Sequence, residues 1–257
     1  MLKNRVIPVL LLRNAGLVKT TKFADPRYVG DPLNAIRIFN EKEVDELLVF
    51  DIMASREKRG PDFSVIQAFA TECFMPFCYG GGITTLEQAE RLFDLGVEKV
   101  SLQTATDSNL GLLTAIANKF GSQAVAASLD IRTGLLGGYQ LYWSATGRTE
   151  KNWQQHLQRV VEAGAGEVVL NAVERDGTMQ GVDSKLIRVA ADAVDVPLVA
   201  LGGVGSMEDI RTPIDAGASA VAAGAFFVFH GRHKAVLITY PDYAALETLL
   251  SGQAHHG

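Results

Sequence analysis

The sequence is short of the residues that build metal centres and disulfide frameworks. Two cysteines, Cys73 and Cys78, occur in 257 residues, and the five histidines are scattered. Neither cysteine has histidines at ligand spacing, so both read as core thiols, and no metal or other cofactor is expected. Long apolar runs are missing too: residues 6–12 and 196–201 fall far below the roughly 20 residues of a membrane span. The opening Met-Leu-Lys-Asn-Arg leads directly into strand-like sequence, which is not a signal-peptide layout. Excess positive charge is absent as well. A net charge of -5 gives no overall field for nucleic acid or anionic lipid. These absences point to a cytoplasmic globular protein with a small-molecule site.

What is present is alternation. Short β-branched or apolar runs at 5–11, 46–51, 75–79, 99–102, 124–130, 167–171, 197–201 and 220–224 read as strands. Segments of helical periodicity lie between them, at 85–95, 108–120, 150–163, 184–194 and 206–216, and a last one covers 240–250. Eight evenly spaced βα units in about 250 residues predict one α/β domain, a closed (β/α)8 TIM barrel, in preference to a doubly wound sheet. Two connections are long enough to be lids. One is 14–32, with its lysines and glycines; the other is 132–148, where Gly137-Gly138 reads as the turn of a hairpin. Trp143 and Trp153 are expected to pack that hairpin and the following helix. Residues 251–257, with His255-His256, read as a polar tail.

The strongest signal is internal. Glu46 and Glu167, Pro76 and Pro197, Gly81 and Gly202, Gly82 and Gly203, Glu87 and Glu208, and Gly96 and Gly217 are all separated by 121 residues. One offset held across so many positions predicts two half-barrels, about 1–121 and 122–245. Each half has a glycine turn directly after a strand, Gly80-Gly81-Gly82 in one and Gly202-Gly203 in the other. Glycine lets backbone N–H groups approach an anion, and the helix that follows adds its dipole. Thr104 and Gly224 fall on the same rim. Two phosphate cradles across one mouth predict a ligand phosphorylated at both ends, although tight βα turns also need glycine for geometry alone.

Taken together, "RVIPVLLL", "DELLVFDIMAS", "YGGGITTLEQAERLFDLGVEKVSL", "GSQAVAASLD", "ERDGTMQG" and "LGGVGSMED" resemble HisF, the cyclase subunit of imidazole glycerol phosphate synthase, over nearly the whole chain. The resemblance implies a barrel that receives ammonia from a HisH-like glutaminase docked on its bottom face, forming a heterodimer. The ammonia then meets a ribotide with two phosphate ends at the top face. It also implies an acid/base pair of aspartates ending the first and fifth strands. Asp130 fills the fifth-strand position, but the first strand delivers Leu11. Leucine cannot move a proton, and general acid–base help is worth about 10²–10⁴-fold, so the resemblance predicts impaired cyclase chemistry.

Other site positions follow from the same likeness. Lys19 resembles a substrate-contacting lysine of the first loop, and Asp51 is the candidate carboxylate nearest to Leu11. Asp176-Gly177-Thr178, read from its place after the sixth strand, is expected to bind the second phosphate or orient substrate, although "DGT" is also an ordinary turn sequence. Gln103 stands where asparagine is expected. Arg5, Glu46, Lys99 and Glu167, at the strand starts, match a charged ammonia gate; a salt-bridged structural plug is the plainer reading of such a ring. Alternation places Arg5 with Leu11, Lys99 with Gln103 and Glu167 with Asn171, but sets Glu46 and Asp51 on opposite faces.

Leu11 and the "FFVFHGRHKAVLITYP" ending resemble a divergent HisF-like branch of surface-polysaccharide pathways, in which ammonia is passed to an ATP-using sugar amidotransferase. An active histidine-pathway cyclase relying on Asp130 is the alternative. A HisA-like sugar-phosphate isomerase is a third reading; Leu11 counts against it equally, and it leaves the bottom charges without a role.

Overall fold

The computed structural model describes residues 4–134 and 137–251. The 252–257 part of the expected tail lies outside them, as do Leu135 and Leu136 beside the expected hairpin turn. The first half of the chain forms β1 (Arg5–Arg13), β2 (Gly16–Thr21), β3 (Ala24–Gly30), α1 (Pro32–Glu41), β4 (Leu47–Asp51), α2 (Phe63–Glu72), β5 (Phe77–Gly80), α3 (Leu86–Asp94), β6 (Lys99–Leu102), α4 (Thr104–Ser108) and α5 (Leu110–Phe120). Then come β7 (Val125–Thr133), β8 (Tyr139–Trp143), β9 (Arg148–Glu150), α6 (Trp153–Glu162), β10 (Glu167–Ala172), α7 (Ser184–Ala191), β11 (Leu198–Leu201), α8 (Glu208–Asp215), β12 (Ala220–Ala223), β13 (Phe229–His230), β14 (Ala235–Val236) and α9 (Tyr243–Ser251).

Eight of these strands close a parallel barrel in the order β1, β4, β5, β6, β7, β10, β11, β12 and back to β1. Helices alternate with them, so the fold is a TIM barrel. Alternation sends one face of each strand inward and the other against the helices. Ile7, Val9, Leu48, Cys78, Ala126, Val169, Val199, Ala220 and Ala222 form the inner core, while the larger cluster of Leu10, Phe39, Leu47, Val49 and Leu170 lies under the helices. Alanine at three inner positions leaves room at the crowded axis. Polar side chains set several helix starts. Asp31 accepts from the Asn34 N–H just before Pro32, and Thr85 and Gln88 form a reciprocal capping box.

The long 14–32 connection is ordered, not irregular. β1 runs on to Arg13, and β2 and β3 fold back on it as an antiparallel hairpin. The 132–148 segment contains β8, paired antiparallel with the extension of β7, and β9 begins at its end. Trp143 and Trp153 are buried, the first edge-on to His156 of α6 and the second edge-on to Tyr139 of β8. Cys78 is buried, but Cys73 is only half-buried, at the end of α2. Among the described residues no helix is long and apolar enough to cross a membrane.

Candidate active site

The N-terminal end of the barrel is closed by four charges. Arg5 bridges Glu46 and Glu167, and Lys99 Nζ donates to Glu46 Oε1 at 3.0 Å and to Glu167 Oε2 at 2.6 Å. Both carboxylates are buried, so each needs both cations. Burial alone would lower the Arg5 and Lys99 pKa values, but Glu167 and Glu46 outweigh it and hold both cations above their ordinary range. The ring is neutral as a whole. Glu46 lies one residue before β4 and turns inward in phase with Leu48 and Phe50. Asp51 is the out-of-phase residue.

Above the ring the inner wall is apolar as far as Ser101 and Ser128, whose hydroxyls are 2.6 Å apart. Beyond them the C-terminal mouth opens into a cavity lined by Leu11, Phe50, Gln103, Asp130, Asn171 and the first glycine turn. Asp130 is a buried acid of this cavity, and burial raises the pKa of its neighbour Asp176 as well. Burial first, and then the Asp176 carboxylate, raise the pKa of Asp130 to about 7, against hydrogen bonds from Asn171 and Ser144 and the charge of Arg56. It is therefore poised to give or take a proton near neutrality. Gln103 braces it, its Nε2 donating to Asp130 Oδ2 at 3.2 Å and to the Tyr142 carbonyl at 3.0 Å. The Gln103 Oε1 accepts from the Thr104 hydroxyl at 3.0 Å. Asn171 Oδ1 is buried and has no hydrogen-bond partner among the described residues.

Gly80, Gly81 and Gly82 line this cavity, whereas on the other side the lining is Leu201, Gly224 and Ala225, and the expected Gly202 and Gly203 sit behind it, where φ and close backbone contacts account for them. Gly81 and Gly82 adopt φ of 129° and 72°, and Gly202 and Gly203 adopt 104° and 103°, so each turn needs the left-handed region. Each also supports the βα loop of the preceding unit. A Cβ on Gly81 would stand 2.6 Å from the Asp51 carbonyl, and one on Gly202 would stand 2.8 Å from that of Ala172. Those two contacts are themselves 121 residues apart in both partners. Thr104 starts α4 beside the first turn, and Gly224 follows β12 beside the second.

Asp51 reaches the rim but is committed there. Its carboxylate accepts from the Met53 and Ala54 N–H groups at 3.0 and 3.1 Å and pairs with Arg59 at 2.8 Å. It offers no free proton-transfer group next to Leu11. The β2–β3 hairpin arches over the opposite side. Thr20 Oγ1 donates to Asp176 Oδ2 at 3.0 Å, the Lys22 N–H donates to the Asp176 carbonyl at 2.9 Å, and Gly177 lies against the Thr20 carbonyl. Lys19 points inward, its ammonium bonded to the Val9 carbonyl and 2.6 Å from where a Gly224 Cβ would be. Burial lowers its pKa to about 8, against the pull of Asp176.

Sequence reading did not single out Arg56, Ser144 or the orphan acceptor of Asn171. Asn171 was traceable through strand parity with Glu167, but its missing partner was not. Arg56 and Ser144 sit in loops, where no periodicity marks the direction of a side chain.

Fold and site together define a TIM-barrel protein with a cavity at the C-terminal mouth of its barrel. Residues 5–234 match the family model described as "Histidine biosynthesis protein". The chain is 53% identical over 257 residues to "Putative imidazole glycerol phosphate synthase subunit hisF2" of Pseudomonas aeruginosa, covering 96% of this chain and 99% of that one. It is 45% identical to "Putative imidazole glycerol phosphate synthase subunit HisF" of Leptospira borgpetersenii (97% and 99% covered). It is 36% identical to "Imidazole glycerol phosphate synthase subunit HisF" of Alkaliphilus metalliredigens (90% and 91% covered). The chain belongs to this histidine biosynthesis family, as a HisF-type barrel.

Proposed function

We propose that this chain is the ammonia-receiving subunit of a glutamine amidotransferase, paired with a HisH-like glutaminase at the barrel floor. The carrying observation is the alignment on one axis of a neutral charge ring, an apolar column and a cavity walled in part by the buried acid Asp130. Ammonia is uncharged and small, so it passes an apolar column at far lower cost than ammonium would. Arg5, Glu46, Lys99 and Glu167 act as the gate. At the mouth, Gly81, Gly82 and Thr104 hold one phosphate end of the ligand. Gly202, Gly203 and Gly224, with Lys19, Asp176 and Gly177, hold the other.

Leu11 removes one partner of the acid/base pair, and Asp51 is tied to Arg59, so ring closure of the histidine-pathway ribotide is slow. Ammonia passes instead to a different acceptor, in sugar amidation for a surface polysaccharide, in the cytoplasm. The test is turnover of that ribotide by the purified chain with ammonium and with a co-expressed glutaminase. Turnover at a rate normal for a metabolic enzyme would refute the reading. The second reading, a working histidine-pathway cyclase, is favoured by Asp130 alone, whose pKa near 7 suits both halves of a proton transfer.

A further inference from the structure

The two halves of the mouth differ in where their cations come from. The hairpin after β1 reaches across to residues 176–177, and the hairpin after β7 reaches across to residues 55–56: the Arg56 Nε donates to the Ser144 carbonyl at 3.0 Å. Under the 121-residue offset, Ser55 corresponds to Asp176 and Arg56 to Gly177. The second cradle thus has glycine at the position where the first has a guanidinium, and takes its cation, Lys19, from the hairpin.

Arg56 is the arginine that lines the cavity. Among the described residues it has no carboxylate bonded to it; the nearby acids Asp51 and Glu57 are taken by Arg59. Its Nε bond across the mouth ties the side chain, and among the described residues neither terminal nitrogen has a protein acceptor. The loop that carries it is seated on the first glycine turn through the Asp51 and Arg59 carbonyls, and the Ser55 hydroxyl accepts from the Gly82 N–H at 3.3 Å. That hydroxyl still has its own hydrogen to give.

We propose that Arg56 is the anion-reading residue of the first cradle, its two free nitrogens gripping a phosphomonoester end of the ligand together with Ser55 and the glycine turn. A planar fork with two parallel donors fits two phosphate oxygens, which a lysine cannot match. The site therefore takes a ligand with a terminal phosphate at this end, one cation per cradle. This inference rests on the phosphate reading of the glycine turns.

The experiment is titration of the whole chain with inorganic phosphate by calorimetry, with phosphate-soaked crystals to assign each site. Wild type is expected to bind at both cradles. Arg56→Ala and Arg56→Gln are expected to lose about 10- to 100-fold at the first cradle only, and Arg56→Lys to recover part of it. Arg56→Gln keeps a donor for the Ser144 carbonyl, so wild-type binding by that variant would make Arg56 a purely structural tether and overturn the proposal. Unchanged binding by Arg56→Ala would overturn it too, while leaving the phosphate reading intact. Absence of phosphate from both cradles of the wild type would overturn both.

Discussion

Leu11 and Asp130 stand on opposite walls of one cavity. They end the inner faces of β1 and β7, which are four strands apart in either direction around the barrel. A group placed between them meets an acid on one side and a hydrocarbon on the other. Leu11→Asp places a second carboxylate on the cavity wall opposite Asp130. Ribotide turnover with ammonium is expected to rise by about 10²-fold or more, and Asp130→Asn in that background to abolish the gain. Steady-state assay of the three proteins checks both steps.

Asp130 also makes stability depend on pH. The unfolded carboxyl ionises near pH 4, whereas the native one keeps its proton to about 7. The native state therefore holds the extra proton between those values, and the cost of the buried anion grows as pH rises through the window and is complete above it. Asp130→Asn removes that cost. It is expected to stabilise the protein at pH 8 by up to about 4 kcal/mol, with the gain vanishing near pH 4; urea unfolding at the two pH values measures it.

The charged floor balances two cations against two buried carboxylates. Lys99→Met leaves a buried excess of negative charge and is expected to cost about 3 kcal/mol. Adding Glu167→Gln restores neutrality and recovers part of it. On the proposed gate, Lys99→Met assayed with a HisH-like glutaminase is expected to lower glutamine-driven amination more than ammonium-driven amination.

Lys19 carries charge below about pH 8 and loses it above. Anion binding at the Gly224 side is therefore expected to weaken up to about tenfold between pH 7 and 9, while Lys19→Arg, charged throughout, holds its affinity. Sulfate is the suitable probe, since its own charge does not change in this range. Equal pH dependence in the two proteins would place the ammonium outside the anion site.

The barrel strands were legible because a closed parallel sheet imposes its inner-outer alternation on every strand. The floor was legible for the same reason: Arg5, Lys99 and Glu167 share parity with cavity residues on their own strands. The β2–β3 hairpin was not. Its two-residue turn is Lys22-Phe23, with φ of 53° and 64°. Turns of that kind normally announce themselves with asparagine or glycine, so the segment read as a loop. The fate of Asp51 was hidden likewise, because nothing in "DIMASREKRG" says that Arg59 folds back onto it while Arg56 does not.

Residue order alone determined the βα alternation, the duplicated glycine turns and the leucine at position 11, since strand parity and backbone freedom are local properties of the chain. Which charges remain free was decided only by packing. Desolvation and pairing depend on groups brought together from distant segments, and these leave Asp130 with a pKa near 7, Asp51 neutralised by Arg59, and Arg56 on the cavity wall, tied to Ser144 through Nε.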